Sequence, residues 1–175
     1  NRYRNHLINY ERLDINSVNK LESETLANLM NCLGNPNDVI KGKRLRRGLV
    51  IGDVQSGKTA TYAGLICKAA DAGYKVVILL TGITESLRKQ TQERMEEGII
   101  GFTIRVDENG RMQKKLERVG VGLDNKEIKA TAFTSYQDDF RGNVDNIVTT
   151  LNSHRSLVMF IENKSNLSKI VYIMI

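Results

Sequence analysis

The feature that most constrains this chain is an eight-residue loop, Gly52-Asp53-Val54-Gln55-Ser56-Gly57-Lys58-Thr59, with the spacing G-x-x-x-x-G-K-T. It lies between a short apolar run, Gly48-Leu49-Val50-Ile51, and an Ala- and Leu-rich stretch from Thr59 to Ala72. Each part of the pattern has a physical task. Gly52 lets the chain leave a strand sharply, and Gly57 lets backbone N–H groups approach an oxyanion with no Cβ in the way. Those N–H groups and the start of the next helix form a nest for phosphate. Lys58 carries a mobile charge to the β- and γ-phosphates, which makes it the candidate catalytic residue, and Thr59 offers its hydroxyl to Mg²⁺. The pattern therefore points to ATP and Mg as ligands.

The surrounding periodicities agree with such a loop. Gly48–Ile51 reads as a strand buried on both faces of a parallel sheet. A helix is expected from Thr59 to Ala72, closed by Gly73. Lys75–Leu80 reads as a second buried strand, and 84–97 as a second helix. Strand, loop, helix, strand, helix is the signature of a parallel α/β fold. Upstream, 1–15 and 17–33 read as helices, the second with Ser17 as N-cap and with Gly34-Asn35-Pro36 as its stop. Downstream, Ile99–Val106, Ile128–Thr134 and Leu157–Ile161 are expected strands, Asp107–Gly110 a turn, and Asn143–Leu151 a helix. Ile170–Ile175 is a further apolar run.

Composition narrows the classes further. No stretch approaches the roughly 18 apolar residues of a membrane span, and nothing at the N-terminus resembles a signal peptide. Two cysteines, Cys32 and Cys67, and two histidines, His6 and His154, are too few for a disulfide framework or a zinc site. The expected setting is cytoplasmic and reducing. The net charge is +6, and Lys41, Lys43, Arg44, Arg46 and Arg47 fall directly before the loop. Such a cluster is either a solvated flank or a positive rim beside nucleotide or DNA phosphates.

Hydrolysis also needs an acid on a neighbouring strand. From the residues alone, Glu162 at the end of the Leu157–Ile161 run is the better candidate, and Asp138-Asp139 the weaker.

Two blocks carry a family resemblance. Arg47–Thr59 with Tyr62–Lys75, and then Thr81–Arg94, resemble the endonuclease-type family called the Z-one domain. The resemblance is strong over about 50 residues and weaker from Leu26 to about Leu167. It implies a three-layer P-loop NTPase fold, the RecA-like lobe of a superfamily-two, helicase-like ATPase, with a largely parallel sheet. It implies a DNA partner and a bacterial or viral restriction or defence setting. Gly52, Gln55, Ser56, Gly57, Lys58 and Thr59 match the family's phosphate loop. Gly82, Arg88 and Gln90 fall where such motors touch the nucleic-acid backbone, and Thr134 opens the later motif that does similar work. Arg88 and Gln90 read equally well as an exposed helix face. The family's acidic strand aligns beyond Ile175, which sets Glu162 aside. The expected organisation is thus a helical segment, 1–40, before an incomplete lobe, 41–175, of a larger protein whose other domains are partners. The expected activity of this stretch alone is weak nucleotide binding with little or no hydrolysis.

Two rival readings share the loop. A P-loop kinase or GTPase-like switch would usually show a guanine-selecting N-K-x-D, but Asn163-Lys164-Ser165-Asn166 lacks the Asp. A non-hydrolysing nucleotide- or DNA-binding module would show salt-dependent DNA binding without ATPase. Direct nuclease chemistry finds no clustered carboxylates here.

Overall fold

The computed structural model describes residues 2–37, 47–51, 57–105, 115–124, 130–137 and 157–163. The expected helix at Asn143–Leu151, the turn at Asp107–Gly110 and the run Ile170–Ile175 lie outside these residues. The chain divides into two compact units, Asn1–Tyr74 and Lys75–Ile175.

The first unit is helical. It holds α1 (Arg2–Asn9), α2 (Ile15–Lys20), a π-helical turn (Leu21–Leu26), α3 (Ala27–Leu33) and α4 (Lys58–Asp71). The second helical run begins before Ser17. Asp14 is the N-cap, and its carboxylate accepts the Ser17 N–H at 2.9 Å. Asp outcompetes Ser here because an anionic acceptor complements the positive end of the helix. Gly34, at φ 76°, ends the run as the sequence indicates.

Leu7, Val18, Leu26, Ala63, Ile66 and Ala69 form the buried apolar set of this unit. Gly64 of α4 lets Leu26 come close, because a Cβ there would sit 2.7 Å from Leu26 Cδ1. The Tyr3 hydroxyl donates to the Ala60 carbonyl at 3.2 Å, tying α1 to the first turn of α4. The Arg4 guanidinium bonds Glu22 at 2.5 Å and Asn19 at 2.6 Å.

Residues 48–51 are not a strand. They have no strand partner among the described residues, and Leu49 and Ile51 are 83% and 87% exposed. A strand needs a hydrogen-bonded neighbour to satisfy its backbone, and the described residues of this unit include none. Apolar character alone did not supply one.

The second unit is mixed α/β. Its main sheet is parallel, in the order β1 (Val76–Thr81), β5 (Leu157–Asn163), β4 (Ala130–Ala132). Val76 pairs with Val158 and Thr81 with Asn163, while Ala130 pairs with Leu157. Val158 and Phe160, two apart and so on one face, pack with Val76, Ile78 and Phe133. The Phe133 and Phe160 rings stack at 5.7 Å. Helix α5 (Glu85–Met95) packs on β1 and β5. Its N-cap, Thr84, accepts the Leu87 N–H.

The strand expected from Ile99 starts later, at Phe102. Residues 96–100 instead extend α5 as a π-helical turn, closed by Gly101 at φ 85°. Ile99 and Ile100 are buried there, in contact with the β4 region. β2 (Phe102–Arg105) then pairs antiparallel with β3 (Lys115–Arg118), and a short helix α6 (Val121–Asp124) follows. No helix among the described residues is long and apolar enough to cross a membrane.

Candidate functional site

Two groups of predicted residues are placed, one in each unit. In the first unit, Gly57 caps α4 with φ 74° and ψ 23°, a left-handed conformation that strongly favours glycine. Among the described residues, no atom lies within 4 Å of where its Cβ would be. Gly57 brings no side chain to the cap. Its carbonyl accepts the Thr61 N–H at 3.0 Å and the Thr61 hydroxyl at 3.3 Å. Lys58 is exposed and Thr59 half-buried, both in the first turn of α4. The N–H groups at an α-helix start have no intrahelical acceptor, and the helix dipole there favours anions. Gly52, Gln55 and Ser56 lie outside the described residues, as do Lys41, Lys43, Arg44 and Arg46 of the basic cluster. Arg47 is exposed.

A phosphate ester with Mg²⁺ fits what is described at this helix start. The left-handed glycine and the residue types that follow it in the first turn of α4, Lys58 and Thr59, are the ones such a ligand would use. Among the described residues, no three His, Cys, Asp or Glu side chains are arranged to hold a metal without such a ligand.

In the second unit the structure brings Arg88 and Thr134 together across the junction of α5 and the segment after β4. Arg88 is fully buried. Its Nε donates to both Glu85 oxygens, at 2.9 and 3.0 Å, and its Nη2 donates to Glu85 Oε1 at 2.6 Å. Nη1 donates to the Ser135 carbonyl at 2.9 Å, and Nη2 to the Tyr136 carbonyl at 3.0 Å. The hydrogen bonds from Arg88 hold the Glu85 carboxyl below its usual pKa.

One turn on, Gln92 is also fully buried. Its Nε2 donates to Glu96 Oε1 at 2.8 Å and to the Thr134 carbonyl at 3.0 Å. The Thr134 hydroxyl donates to Gln92 Oε1 at 2.8 Å and accepts the Ile161 N–H at 3.1 Å. That last bond extends the β4–β5 ladder past Ala132, with a side chain standing in for a strand carbonyl. Burial raises the pKa of Glu96, and hydrogen bonds from Thr103 and Gln92 pull it the other way.

The other two predicted contacts differ. Gln90 is exposed on the outer face of α5, and Gly82 is half-buried directly after β1. The Leu87 side chain lies over Gly82 and would meet a Cβ there. Gln90 thus presents a polar group outward, whereas Arg88 and Thr134 are internal. Glu162 is the penultimate residue of β5, at its C-terminal end, and is 1% exposed. Gln92, Glu96 and Tyr136 were not singled out from the sequence. The 85, 88, 92, 96 spacing places Glu85, Arg88, Gln92 and Glu96 on one helix face, but a polar stripe ordinarily signals the solvent side.

No protein-family profile, no curated protein and no solved structure matches this chain.

Proposed function

We propose that the chain is the nucleotide-binding part of a DNA-directed, helicase-like P-loop ATPase, with a RecA-like lobe and a Z-one-type relationship. The observation that carries this reading is Gly57, left-handed at the start of the 14-residue helix α4 and followed at once by Lys58 and Thr59. A glycine held in that conformation next to Lys-Thr is what the phosphate loop chemistry requires. The parallel order of β1, β5 and β4 supports the same fold class. In this reading the backbone of the loop and the α4 start hold the phosphates, Lys58 neutralises charge on the terminal phosphates, and Thr59 ligates Mg²⁺. Bound Mg-ATP would supply the phosphoryl group whose hydrolysis drives work on DNA in the complete protein. Gln90, on the exposed face of α5, contributes to the DNA-facing surface. Arg88 and Thr134 shape that surface from within.

The test is calorimetric titration of the chain with Mg-ATP, alongside Lys58→Ala. Saturable binding should weaken roughly 10- to 150-fold in the variant, the range for losing hydrogen bonds to a charged group. Equal binding by both proteins, or none by the folded parent, refutes the phosphate-loop assignment.

A further inference from the structure

Helix α1 reaches the start of α4 through a single peptide unit. The Tyr3 hydroxyl donates to the Ala60 carbonyl at 3.2 Å. The N–H of that same peptide, on Thr61, donates to the Gly57 carbonyl at 3.0 Å. A peptide group is a rigid plane, so its two ends move together. A bond accepted at the carbonyl also polarises the N–H and strengthens the bond it donates. Tyr3 thus stands two hydrogen bonds from the left-handed glycine that precedes Lys58 and Thr59.

The phenol is well held for this task. Burial raises its pKa, which keeps the hydroxyl protonated as a donor. Its ring lies against α4 one turn further on, where a Cβ on Gly64 would stand 3.5 Å from Tyr3 Cε1. The ring also stacks with the buried His6, their centroids 6.2 Å apart. At the far end of α4, the Tyr74 hydroxyl donates to the Leu33 carbonyl, the last residue of α3, at 3.2 Å. The helical segment therefore braces α4 at both ends, and Tyr3 supplies the bond at the phosphate end. A binding site works when its groups are held within about 0.5 Å of the productive placement.

Resting on the phosphate-loop reading above, we propose that Tyr3 is a positioning residue for the nucleotide site, and that docking of α1 and binding of Mg-ATP are coupled through the Ala60–Thr61 peptide. Tyr3 acts through Gly57 and not by touching the nucleotide. Such coupling is reciprocal. If docked α1 favours Mg-ATP, bound Mg-ATP favours docked α1 by the same factor.

Two measurements test this. In calorimetric titration, Tyr3→Phe deletes the hydroxyl and keeps the ring. It should weaken Mg-ATP binding roughly 2- to 12-fold, the range for one neutral hydrogen bond. A merely structural bond would lower the melting temperature and leave the affinity of the folded chain unchanged. Circular dichroism sets a temperature at which both proteins are folded. In hydrogen exchange on the parent, saturating Mg-ATP should slow the amides of residues 6–13, in α1 and the turn after it. Unchanged affinity in Tyr3→Phe, or exchange in α1 that Mg-ATP does not slow, overturns the coupling, while binding by the parent that depends on Lys58 keeps the phosphate-loop reading. No Mg-ATP binding by the folded parent overturns both.

Discussion

Replacing Thr134 by valine removes one oxygen and keeps the side-chain shape. In the folded chain that oxygen serves two buried partners, donating to Gln92 Oε1 at 2.8 Å and accepting the Ile161 N–H at 3.1 Å. Gln92 cannot recover by flipping its amide, because its Nε2 already bonds Glu96 and the Thr134 carbonyl. Valine therefore leaves a buried acceptor and a buried backbone donor unpaired. Each such group costs about 1–3 kcal/mol, so a destabilisation of ~2–6 kcal/mol is expected for the two. Thr134→Ser keeps the hydroxyl and loses one methyl, worth about 0.8 kcal/mol. With a urea slope of about 2 kcal/mol/M, the unfolding midpoint should fall by roughly 1–3 M for valine and by less than about 0.5 M for serine. Urea titration followed by circular dichroism measures both. If the two variants unfold together, or if valine matches the parent, the hydroxyl does not complete the β4–β5 ladder and the account of this junction is wrong.

Two further predictions concern titratable groups. Burial raises the Glu96 pKa above 4.5 in the fold, so its ionised form opposes folding. The penalty is absent below the unfolded value and grows as pH rises through the folded one. Glu96→Gln keeps an oxygen for Gln92, so it should be more stable than the parent at pH 8, with the gap closing in acid below about pH 4; thermal melts across pH check this, and a gap that widens in acid refutes it. Burial also pushes the Cys67 thiol up to about 12, whereas Cys32 is exposed. Because the thiolate is the nucleophile, iodoacetamide at pH 8 should modify Cys32 at least about tenfold faster than Cys67, read by peptide mass mapping, and the two should react alike in denaturant. Equal native rates would place Cys67 in solvent.

The sequence by itself determined the elements whose causes are local. The span α4 (Lys58–Asp71) was legible because an Ala-rich stretch has high helix propensity and glycines bracket it. β1 and β5 were legible as strands because continuous apolar, β-branched runs favour them, but only β5 is buried as expected: Val76–Leu79 of β1 are half-buried and Leu80 is exposed. Gly57, Lys58 and Thr59 were picked out by the spacing of the loop, and the left-handed backbone at Gly57 is what the structure adds.

Only tertiary structure decided the rest. Gly48–Ile51 has strand character, but strand pairing is a property of two segments, and this one has no partner among the described residues. The polar stripe Arg88, Gln92 and Glu96 reads as a wet helix face until Ser135, Tyr136 and Thr134, more than 40 positions away, arrive to satisfy it. Tyr136 meets α5 through the bond from Arg88 to its carbonyl and through Lys89 over its ring, contacts that only the fold creates. A side chain's propensity is written where it stands in the chain, whereas the partner that allows a charge to be buried is chosen by the fold.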